Sequence, residues 1–329
     1  MQRTQLRTTQ PVATTLEITL PRLSYSFEAE VSPHAGRVDE LTFEWGRAMG
    51  LFSTAEDAER FRGTRVGWLA GRTSPRSSLE GLQLLADWQM WLFAFDDAFC
   101  DESPAGDRAD LMARTVTGYL GIIEGPPTPP RGDPFARALA DVADRIRRRA
   151  APVQGARFAR AVTGYFLAQC WEAANRGDHT PSGLAEYVHM RRHSGAVPTC
   201  MALIDVAGGF SLTSQEFDDP RVVSLSGRAA NVACWANDIL SYPKEISRSR
   251  VVHSLPAVLS AELGIGVNES LRRAAVMHDQ EVARYAAAER AVREHASPQL
   301  RRYLDDLRFW MRGNLDWSAE TGRYALQAS

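Results

Sequence analysis

Lysine is almost missing from this chain of 329 residues. Lys244 is the only lysine among 38 Lys and Arg residues, which face 40 Asp and Glu residues, so the net charge is −2. A chain with no excess of either charge is not expected to coat nucleic acid or an anionic membrane surface. We therefore expect no nucleic-acid partner.

Cysteine and long apolar runs are also scarce. The four cysteines (Cys100, Cys170, Cys200 and Cys234) are far apart and form no C-x-x-C pair, which is typical of reduced thiols in a cytosolic protein. The N-terminal segment lacks the apolar core of a signal peptide, and no run of 18 apolar residues is present. The sequence predicts a soluble, cytoplasmic protein without membrane insertion.

Alternating apolar and polar residues, the pattern of half-buried strands, are absent as well. Apolar residues instead recur at helical spacing almost everywhere after residue 33. This predicts an all-α fold, with a flexible N-terminal arm over 1–33 and one helical domain over 34–329. The predicted helices are Val38–Gly50, Leu79–Phe95, Asp107–Ile123, Phe135–Ala150, Ala156–Asn175, Ser182–His193, Val197–Ala207, Pro220–Ser241, Asn268–His295 and Pro298–Trp317.

An acidic cluster follows an aromatic helix end in the string WLFAFDDAFCDE, residues 91–102. Asp97 and Asp101 are four residues apart and would share one face of an α-helix, with Asp96 beside them. Clustered carboxylates repel one another, so solvent or a bound cation has to screen them. A solvated helix end is the plain alternative, but the aromatic lead-in favours a cavity wall that ends in a cation site.

A second polar string, NDILSYPKE, spans residues 237–245. Asn237, Ser241 and Glu245 recur at every fourth position, so their side chains form one stripe along a helix. Amide, hydroxyl and carboxylate oxygens are hard donors, which suit Mg²⁺ rather than zinc. Pro243 removes a backbone donor within this string and is expected to kink the helix near Glu245.

Together the two strings resemble the paired metal motifs of bacterial class I terpene synthases, DDxx(x)D/E and N-D-x-x-S-x-x-K-E. The resemblance implies a helical bundle around a central active-site cavity, with Mg²⁺, three ions in all, as cofactor and Mn²⁺ as a substitute. It implies that six residues bind the metal: Asp96, Asp97, Asp101, Asn237, Ser241 and Glu245. In such families the later acids of the first motif, here Asp97 and Asp101, often pair with arginine or take part in closure of the site instead. Lys244 is implied to contact the substrate diphosphate.

Three further segments also resemble this family, and all five segments occur in the order expected for it. With them the resemblance covers about residues 35–325. The segment YVHMRRHSGAVP (187–198) resembles the diphosphate sensor and helix break, which implies catalytic roles for Arg191, Ser194 and Gly195. Gly195 and Pro198 independently predict an interrupted helix. The segment WEAANR (171–176) resembles the one in which the family has a glutamate facing the metal cluster, which implies this position for Glu172. The C-terminal Arg323 and Tyr324 are implied to bind diphosphate.

The implied activity is Mg²⁺-dependent ionisation of an isoprenyl diphosphate, followed by cyclisation of the carbocation to a terpene hydrocarbon or alcohol. Farnesyl diphosphate is the leading substrate, geranylgeranyl diphosphate the second, and a monomer or homodimer is expected. Spacing makes several aromatic residues candidates for the pocket wall, although core packing is the more common role for each of them taken alone: Trp91, Phe95, Phe99, Phe166, Trp235 and Trp310.

Two other functions stay open from the sequence. A chain-elongating prenyltransferase would have a similar fold. Such enzymes characteristically carry a second aspartate-rich motif at the position where this chain has N-D-x-x-S-x-x-K-E. A helical scaffold protein with fortuitous acids would show no diphosphate release and no Mg²⁺-dependent stabilisation by diphosphate.

Overall fold

The computed structural model describes residues 18–101, 103–125, 132–178, 182–247 and 253–324. These ranges contain fifteen α-helices and no strand, which confirms the all-α prediction. The helices are α1 (Ala35–Met49), α2 (Ala55–Thr64), α3 (Val66–Thr73), α4 (Leu79–Phe95), α5 (Ala109–Glu124), α6 (Pro134–Arg149), α7 (Pro152–Gly177), α8 (Leu184–Ser194), α9 (Val197–Met201), α10 (Ile204–Gly208), α11 (Ser214–Phe217), α12 (Pro220–Ser247), α13 (Leu255–Leu263), α14 (Val267–Glu294) and α15 (Pro298–Glu320).

Local capping chemistry explains where several helices begin. Thr54 forms a capping box with Asp57 at the start of α2, so that each side chain accepts a hydrogen bond from the other residue's backbone N–H. The Asp133 and Ser297 side chains cap α6 and α15, because each accepts a hydrogen bond from a backbone N–H in the first turn of its helix. A proline follows each of them at the first helical position.

Helix α4 lies at the centre of the bundle, where its residues from Leu84 to Leu92 are buried on every side. It packs against α1, α3 and α6, while α12 packs against α14 and α15. Gly313 lets α15 approach α3 closely, because a Cβ atom there would lie 2.4 Å from the carbonyl oxygen of Arg72. These contacts fix the relative positions of α4, α12 and α15, which carry much of the site described below.

Residues 18–33 of the predicted arm contain no helix, but they are packed against the helical body. The Phe27 side chain is buried, and the Tyr25 hydroxyl lies 2.7 Å from Nε2 of His278 on α14. These contacts join residues 18–33 to the helical body, and the flexibility expected of the arm over 1–33 stays a prediction. Residues 1–17 of the predicted arm lie outside the described residues.

The observed helices differ from the predicted ones in three places. The helix predicted over 197–207 is two short helices, α9 and α10, separated by a turn at Ala202 and Leu203. Helix α12 continues through Pro243 to Ser247 instead of ending at Ser241. The predictions did not include α2, α3, α11 or α13. In the described part of the chain, no helix is long and apolar enough to cross a membrane.

Candidate active site

A cavity of about 610 Å³ opens among α4, α7, α8, α12 and α15. Along three of these helices an apolar or aromatic lining residue precedes a charged or amide one: Phe93 precedes Asp96 just beyond α4, Tyr165 precedes Glu172, and Ala233 precedes Asn237. The cavity therefore has an apolar end and a polar end. The polar end is lined by Asp96, Glu172, Arg176, Arg191, Asn237, Ser241, Lys244, Glu245, His253 and Arg323.

The acidic motif lies in a π-helical turn, Asp96–Asp101, that continues α4. Because a π-helix pairs residues five apart, the expected α-helical alignment of Asp97 with Asp101 does not apply. Asp96 lines the cavity. The Asp101 side chain lies outside the described residues.

Asp97 is not part of the cavity lining and is held by arginines. Its Oδ1 accepts a hydrogen bond of 2.8 Å from Nη2 of Arg323, and Arg60 lies 3.6 Å from its Oδ2. Burial raises the pKa of Asp97, but the two guanidinium groups outweigh it and the pKa is lowered overall. This carboxylate therefore ties the C-terminal segment to the acidic motif.

The second motif forms the predicted stripe on α12. Asn237, Ser241 and Glu245 all line the polar end of the cavity, as does Lys244. The Ser241 hydroxyl donates to the backbone carbonyl of Asn237 at 2.8 Å and to Oε1 of Glu245 at 2.6 Å. The Ser241 and Glu245 side chains are therefore in contact, on a helix that Pro243 does not interrupt.

The Arg191 guanidinium is fixed by two neighbours on α12. Its Nε donates to Oδ1 of Asp238 at 2.8 Å, and its Nη2 donates to Oδ1 of Asn237 at 2.9 Å. Asp238 is buried and also accepts hydrogen bonds from the Tyr187 hydroxyl and, at 3.0 Å, from the Leu255 backbone N–H. Burial lowers the pKa of Arg191, but Asp238 raises it well above its usual range, so the group remains charged.

The predicted helix break is confirmed. Helix α8 ends at Ser194, Gly195 follows, Ala196 has a left-handed backbone with φ of 57°, and α9 begins with Val197. A Cβ atom on Gly195 would lie 2.7 Å from Sγ of Cys234 and 2.8 Å from Nη1 of Arg191. Because Arg191 is already anchored, only glycine fits at this position without displacing it. Ser194 and Gly195 both line the cavity.

Glu172 lies in the polar end with a neighbouring arginine and histidine that the sequence did not indicate. Its Oε2 accepts from Nη2 of Arg176 at 3.1 Å, and Arg176 also donates to the Cys100 carbonyl at 3.0 Å. Burial raises the pKa of Glu172, but Arg176 and Arg191 lower it overall. Burial lowers the pKa of the nearby His253, against the opposing effect of Glu172.

The C-terminal segment closes the polar end from the other side. The Arg323 guanidinium lies 4.5 Å from the centre of the Phe93 ring, and Lys244 donates to the Arg323 carbonyl. Arg323 also lies 3.8 Å from Asp96. It therefore contacts both the acidic motif and the lysine of the second motif. The Tyr324 side chain lies outside the described residues.

Most of the aromatic residues proposed for the pocket wall do not line the cavity. Trp310 and Glu172 do, whereas Trp91, Phe95, Phe99, Phe166 and Trp235 are absent from the described lining. Trp91 stacks on Phe95 with ring centres 5.0 Å apart and donates to the Phe135 carbonyl at 2.9 Å, so it faces α5 and α6. Because α4 is buried on every side, composition did not show which face meets the cavity.

Spacing from the known motif residues gives the lining residues that sequence reasoning missed. Gln89, Leu92 and Phe93 precede Asp96 at helical spacing, and Arg176 follows Glu172 by four. Tyr165, Cys200, Asn314 and Trp317 are also in the wall. Cys100, Cys200 and Cys234 are buried, Cys170 is half-buried, and none of the four, all within the described ranges, forms a disulfide.

Metal-binding chemistry in this cavity rests on mixed oxygen donors. In the described ranges, no three Asp, Glu, His or Cys side chains lie close enough together to hold a metal by themselves. The stripe on α12 supplies one amide, one hydroxyl and one carboxylate, which is a set that suits a hard divalent cation with further oxygens from solvent or ligand.

Residues 87–284, which include both the acidic motif and the α12 stripe, match the family described as terpene synthase family 2, C-terminal metal binding. The chain belongs to the terpene synthase family. It is a lyase with a metal-binding domain, and its fold is that of class I terpene synthases. The resemblance drawn from the two motifs is therefore confirmed.

Individual relatives agree over nearly the whole chain. It is 35% identical over 306 residues to the 4-epi-cubebol synthase of Streptosporangium roseum, covering 93% of this chain and 92% of that protein. It is also 35% identical to the (+)-T-muurolol synthase of Roseiflexus castenholzii, over 92% of this chain and 93% of that protein. Both relatives are described as cyclising (2E,6E)-farnesyl diphosphate.

Solved structures give the same fold. A protein from ancestral sequence reconstruction superposes with a TM-score of 0.87 at 27% identity, covering 92% of this terpene synthase and 90% of that chain. Wild-type cucumene synthase superposes with a TM-score of 0.78 at 27% identity, covering 90% and 99% of the two chains.

Proposed function

We propose that this terpene synthase ionises farnesyl diphosphate with the help of Mg²⁺ and cyclises the resulting carbocation to a terpene hydrocarbon or alcohol, releasing diphosphate. The observation that supports this most directly is the shape of the cavity. Oxygen donors and four Arg or Lys side chains line one end, and aromatic and aliphatic side chains line the other. The two relatives described as cyclising farnesyl diphosphate support the choice of substrate.

The metal would be held between two walls of the polar end. Asp96 lies on one wall, and Asn237, Ser241 and Glu245 lie on the other. When bound, Mg²⁺ supplies positive charge to the diphosphate oxygens. We assign three such ions and expect Mn²⁺ to substitute. Asp97 serves closure in this proposal, because Arg323 occupies it, and Asp101 remains a candidate ligand.

The diphosphate would be bound by Arg191, Lys244 and Arg323, with Tyr324 as a fourth donor. The first three line the polar end, and each carries a positive charge that suits charge-assisted hydrogen bonds to phosphate oxygens. Asp238 and Asn237 hold Arg191 in place before substrate arrives, so little reorganisation is needed when the C–O bond breaks. Ser194 and Gly195 shape the break that faces the cavity.

The carbocation would then be kept in the apolar end. Phe93, Trp310 and Trp317 line it, and aromatic faces stabilise a cation while excluding water. The Arg323 guanidinium lies over the Phe93 ring, so Phe93 contacts the closing C-terminal segment as well as lining the apolar end. We further propose a cytoplasmic monomer or homodimer for this enzyme.

Incubation of the purified protein with geranyl, farnesyl or geranylgeranyl diphosphate plus Mg²⁺, followed by extraction and mass spectrometry, tests the proposal. We expect a cyclic product from farnesyl diphosphate. A product only from geranylgeranyl diphosphate would assign the diterpene alternative. Longer linear diphosphates in a parallel incubation with added isopentenyl diphosphate, the homoallylic co-substrate of elongation, would assign a prenyltransferase. No product from any substrate would refute the enzyme activity altogether.

Replacement of the metal-binding stripe gives a matched test. Glu245→Ala and Asn237→Ala should each lower turnover by about a hundredfold or more, since single electrostatic groups at such sites contribute this much. Glu294→Ala, at an exposed glutamate on α14, is the control and should leave turnover unchanged. Near-native turnover in either stripe variant would contradict the proposed metal site.

A further inference from the structure

The wall of the cavity contains one buried amide whose hydrogen-bonding groups are unused. Gln89 on α4 is only 2% exposed and lines the cavity beside the apolar residues Leu92 and Phe93. Neither its Oε1 nor its Nε2 has a hydrogen-bond partner among the described residues. Leaving a buried polar group unpaired costs about 1–3 kcal/mol, so such a group calls for an explanation.

Other buried polar side chains of α4 are paired. The Trp88 indole donates to the Thr199 hydroxyl at 2.8 Å, and Asp87 accepts from Arg145 at 2.7 Å. The structure also places the Cys200 thiol near Gln89, and burial raises the pKa of this thiol to about 12 despite the opposing influence of Thr199 and the amide. A thiol is a weak hydrogen-bonding partner and does not replace a second amide or a water.

A second polar group in the same wall is also unpaired. The Trp310 side chain is 3% exposed and lines the cavity, and its Nε1 has no hydrogen-bond partner in the part of the chain that the structure describes. A buried water typically makes about three hydrogen bonds to otherwise unsatisfied polar groups. Gln89 alone offers an acceptor and two donor hydrogens, so the wall has the polar groups that an enclosed water needs.

We infer that Gln89 binds a water molecule inside the cavity and positions it to capture the cyclised carbocation, so that the principal product is a terpene alcohol. The inference rests on the proposed function, because it needs the carbocation. The amide carbonyl accepts a hydrogen bond from the water, which leaves an oxygen lone pair directed toward the cation. Gln89 is a positioning residue in this step and does not itself accept a proton.

The step balances without any further reactant. An oxygen lone pair of water forms the new C–O bond to the cationic carbon and gives a protonated alcohol. That species then loses one proton to diphosphate, the base that ionisation has already generated. The products are one neutral alcohol and one protonated diphosphate, and nothing is oxidised or reduced.

Labelled water tests the inference with the full-length protein. Farnesyl diphosphate and Mg²⁺ are incubated in buffer with about half of its oxygen as ¹⁸O, and the alcohol-to-hydrocarbon ratio and the label are read by mass spectrometry. We expect an alcohol that carries solvent oxygen as the main product. Gln89→Leu should lower the ratio at least tenfold, whereas Gln89→Glu, whose buried neutral carboxyl retains a donor and an acceptor, should keep it within about threefold.

Two further variants make the result decisive. Gln83→Leu removes an amide from the same helix that pairs with Asp87 and does not line the cavity, so it should leave the ratio unchanged. Gln89→Met replaces the amide with an unbranched side chain of similar size, and it carries the test if the leucine variant does not fold by circular dichroism.

The outcomes separate this inference from the proposed function. A wild-type enzyme that forms only hydrocarbons, an alcohol without solvent label, or an unchanged ratio in the Gln89 variants would each overturn the role of Gln89 while leaving the cyclase intact. Absence of both terpene product and diphosphate release in the wild type would instead refute the proposed function.

Discussion

At the scale of single residues, Asp238 determines how the polar end of the cavity is built. Its two carboxylate oxygens accept hydrogen bonds from Arg191 and Tyr187, which are both on α8, and from the backbone N–H of Leu255 at the start of α13. The residue itself does not line the cavity. Its effect on catalysis would therefore pass through the position of Arg191.

Asp238→Asn should lower kcat/KM at least a hundredfold and reduce the free energy of unfolding by about 3 kcal/mol, because it leaves the buried Arg191 without its charge partner. Steady-state kinetics and urea unfolding measure the two effects. In an Arg191→Ala background the same substitution should cost little further activity, and that coupling separates positioning from a general structural role.

The control for this prediction is Asp219→Asn, which breaks the exposed ion pair with Arg221. Exposed pairs contribute little, so unfolding and kinetics should both stay near the wild-type values. A loss of activity that is equally large with and without Arg191 would contradict the positioning role of Asp238.

A second buried carboxylate sets a pH dependence of stability. Burial raises the pKa of Asp306 on α15 from 3.8 to about 7, although Arg302 and Arg76 act in the opposite direction. Between pH 4 and 7 the folded chain therefore holds this proton more tightly than the unfolded chain, so the contribution of Asp306 to stability falls as pH rises through that window.

Asp306→Asn removes this penalty. The free energy of unfolding of the variant relative to wild type should rise by on the order of 2 kcal/mol between pH 5 and pH 8, as measured by urea unfolding at both values. Asp305→Asn is the matched control, because that half-exposed neighbour is paired with Arg293 at 2.6 Å and its loss should stabilise nothing. An Asp306→Asn difference that does not change with pH would show that the carboxyl is ionised throughout.

At the scale of helices, the features that could be predicted from the sequence depend on residues that are close together in the chain. The four-residue spacing of Asn237, Ser241 and Glu245 is a property of one helix, and the break after Ser194 follows from Gly195 and Pro198 in sequence. What depends on distant packing was not predictable. The partner of Asp97 is Arg323, 226 residues away, and the π-helical turn at the acidic motif has no composition signal.

Helix α4 shows the same limit more clearly. The sequence of a helix that is buried on every side does not show which face lines a cavity. For this reason the sequence predicts Trp91 and Phe95 as wall residues and does not indicate Gln89. Similarly, α3 contains two glycines in eight residues, so low helix propensity concealed a helix that packing against α1 and α15 stabilises.

The break between α8 and α9 carries backbone strain that a substitution can reveal. Ala196 has φ of 57°, which costs an L-residue roughly 1–2 kcal/mol, whereas the nearby Ala202 has φ of −66°. Both alanines are buried, so replacement by glycine removes one buried methyl group in each case. We expect Ala196→Gly to be more stable than Ala202→Gly by about 1–2 kcal/mol in urea unfolding. Equal stabilities would show that the break stores no strain.

At the scale of the whole molecule, opposite charges face each other across one cavity although the chain is nearly neutral. Carboxylates on α4 and α12 and the basic groups Arg191, Lys244 and Arg323 line the same polar end. A divalent cation and a diphosphate therefore complement different parts of this surface, and each supplies the charge that the other needs.

If Mg²⁺ and diphosphate bind together, the two together should stabilise the folded chain more than either one does alone. Mg²⁺ and inorganic diphosphate together, at about 100 times the dissociation constant, should raise the melting temperature by about 4 °C, as expected from ligand linkage for a chain of this length. Either one alone should give less than half of that shift in differential scanning fluorimetry. The metal alone lacks the charged oxygen ligands that diphosphate adds, and diphosphate without metal is repelled by Asp96 and Glu245. Glu245→Ala should abolish the joint effect, and Glu294→Ala should preserve it. A full shift with diphosphate alone would mean that the arginines and the lysine bind it without metal, and the carboxylates would then need another role.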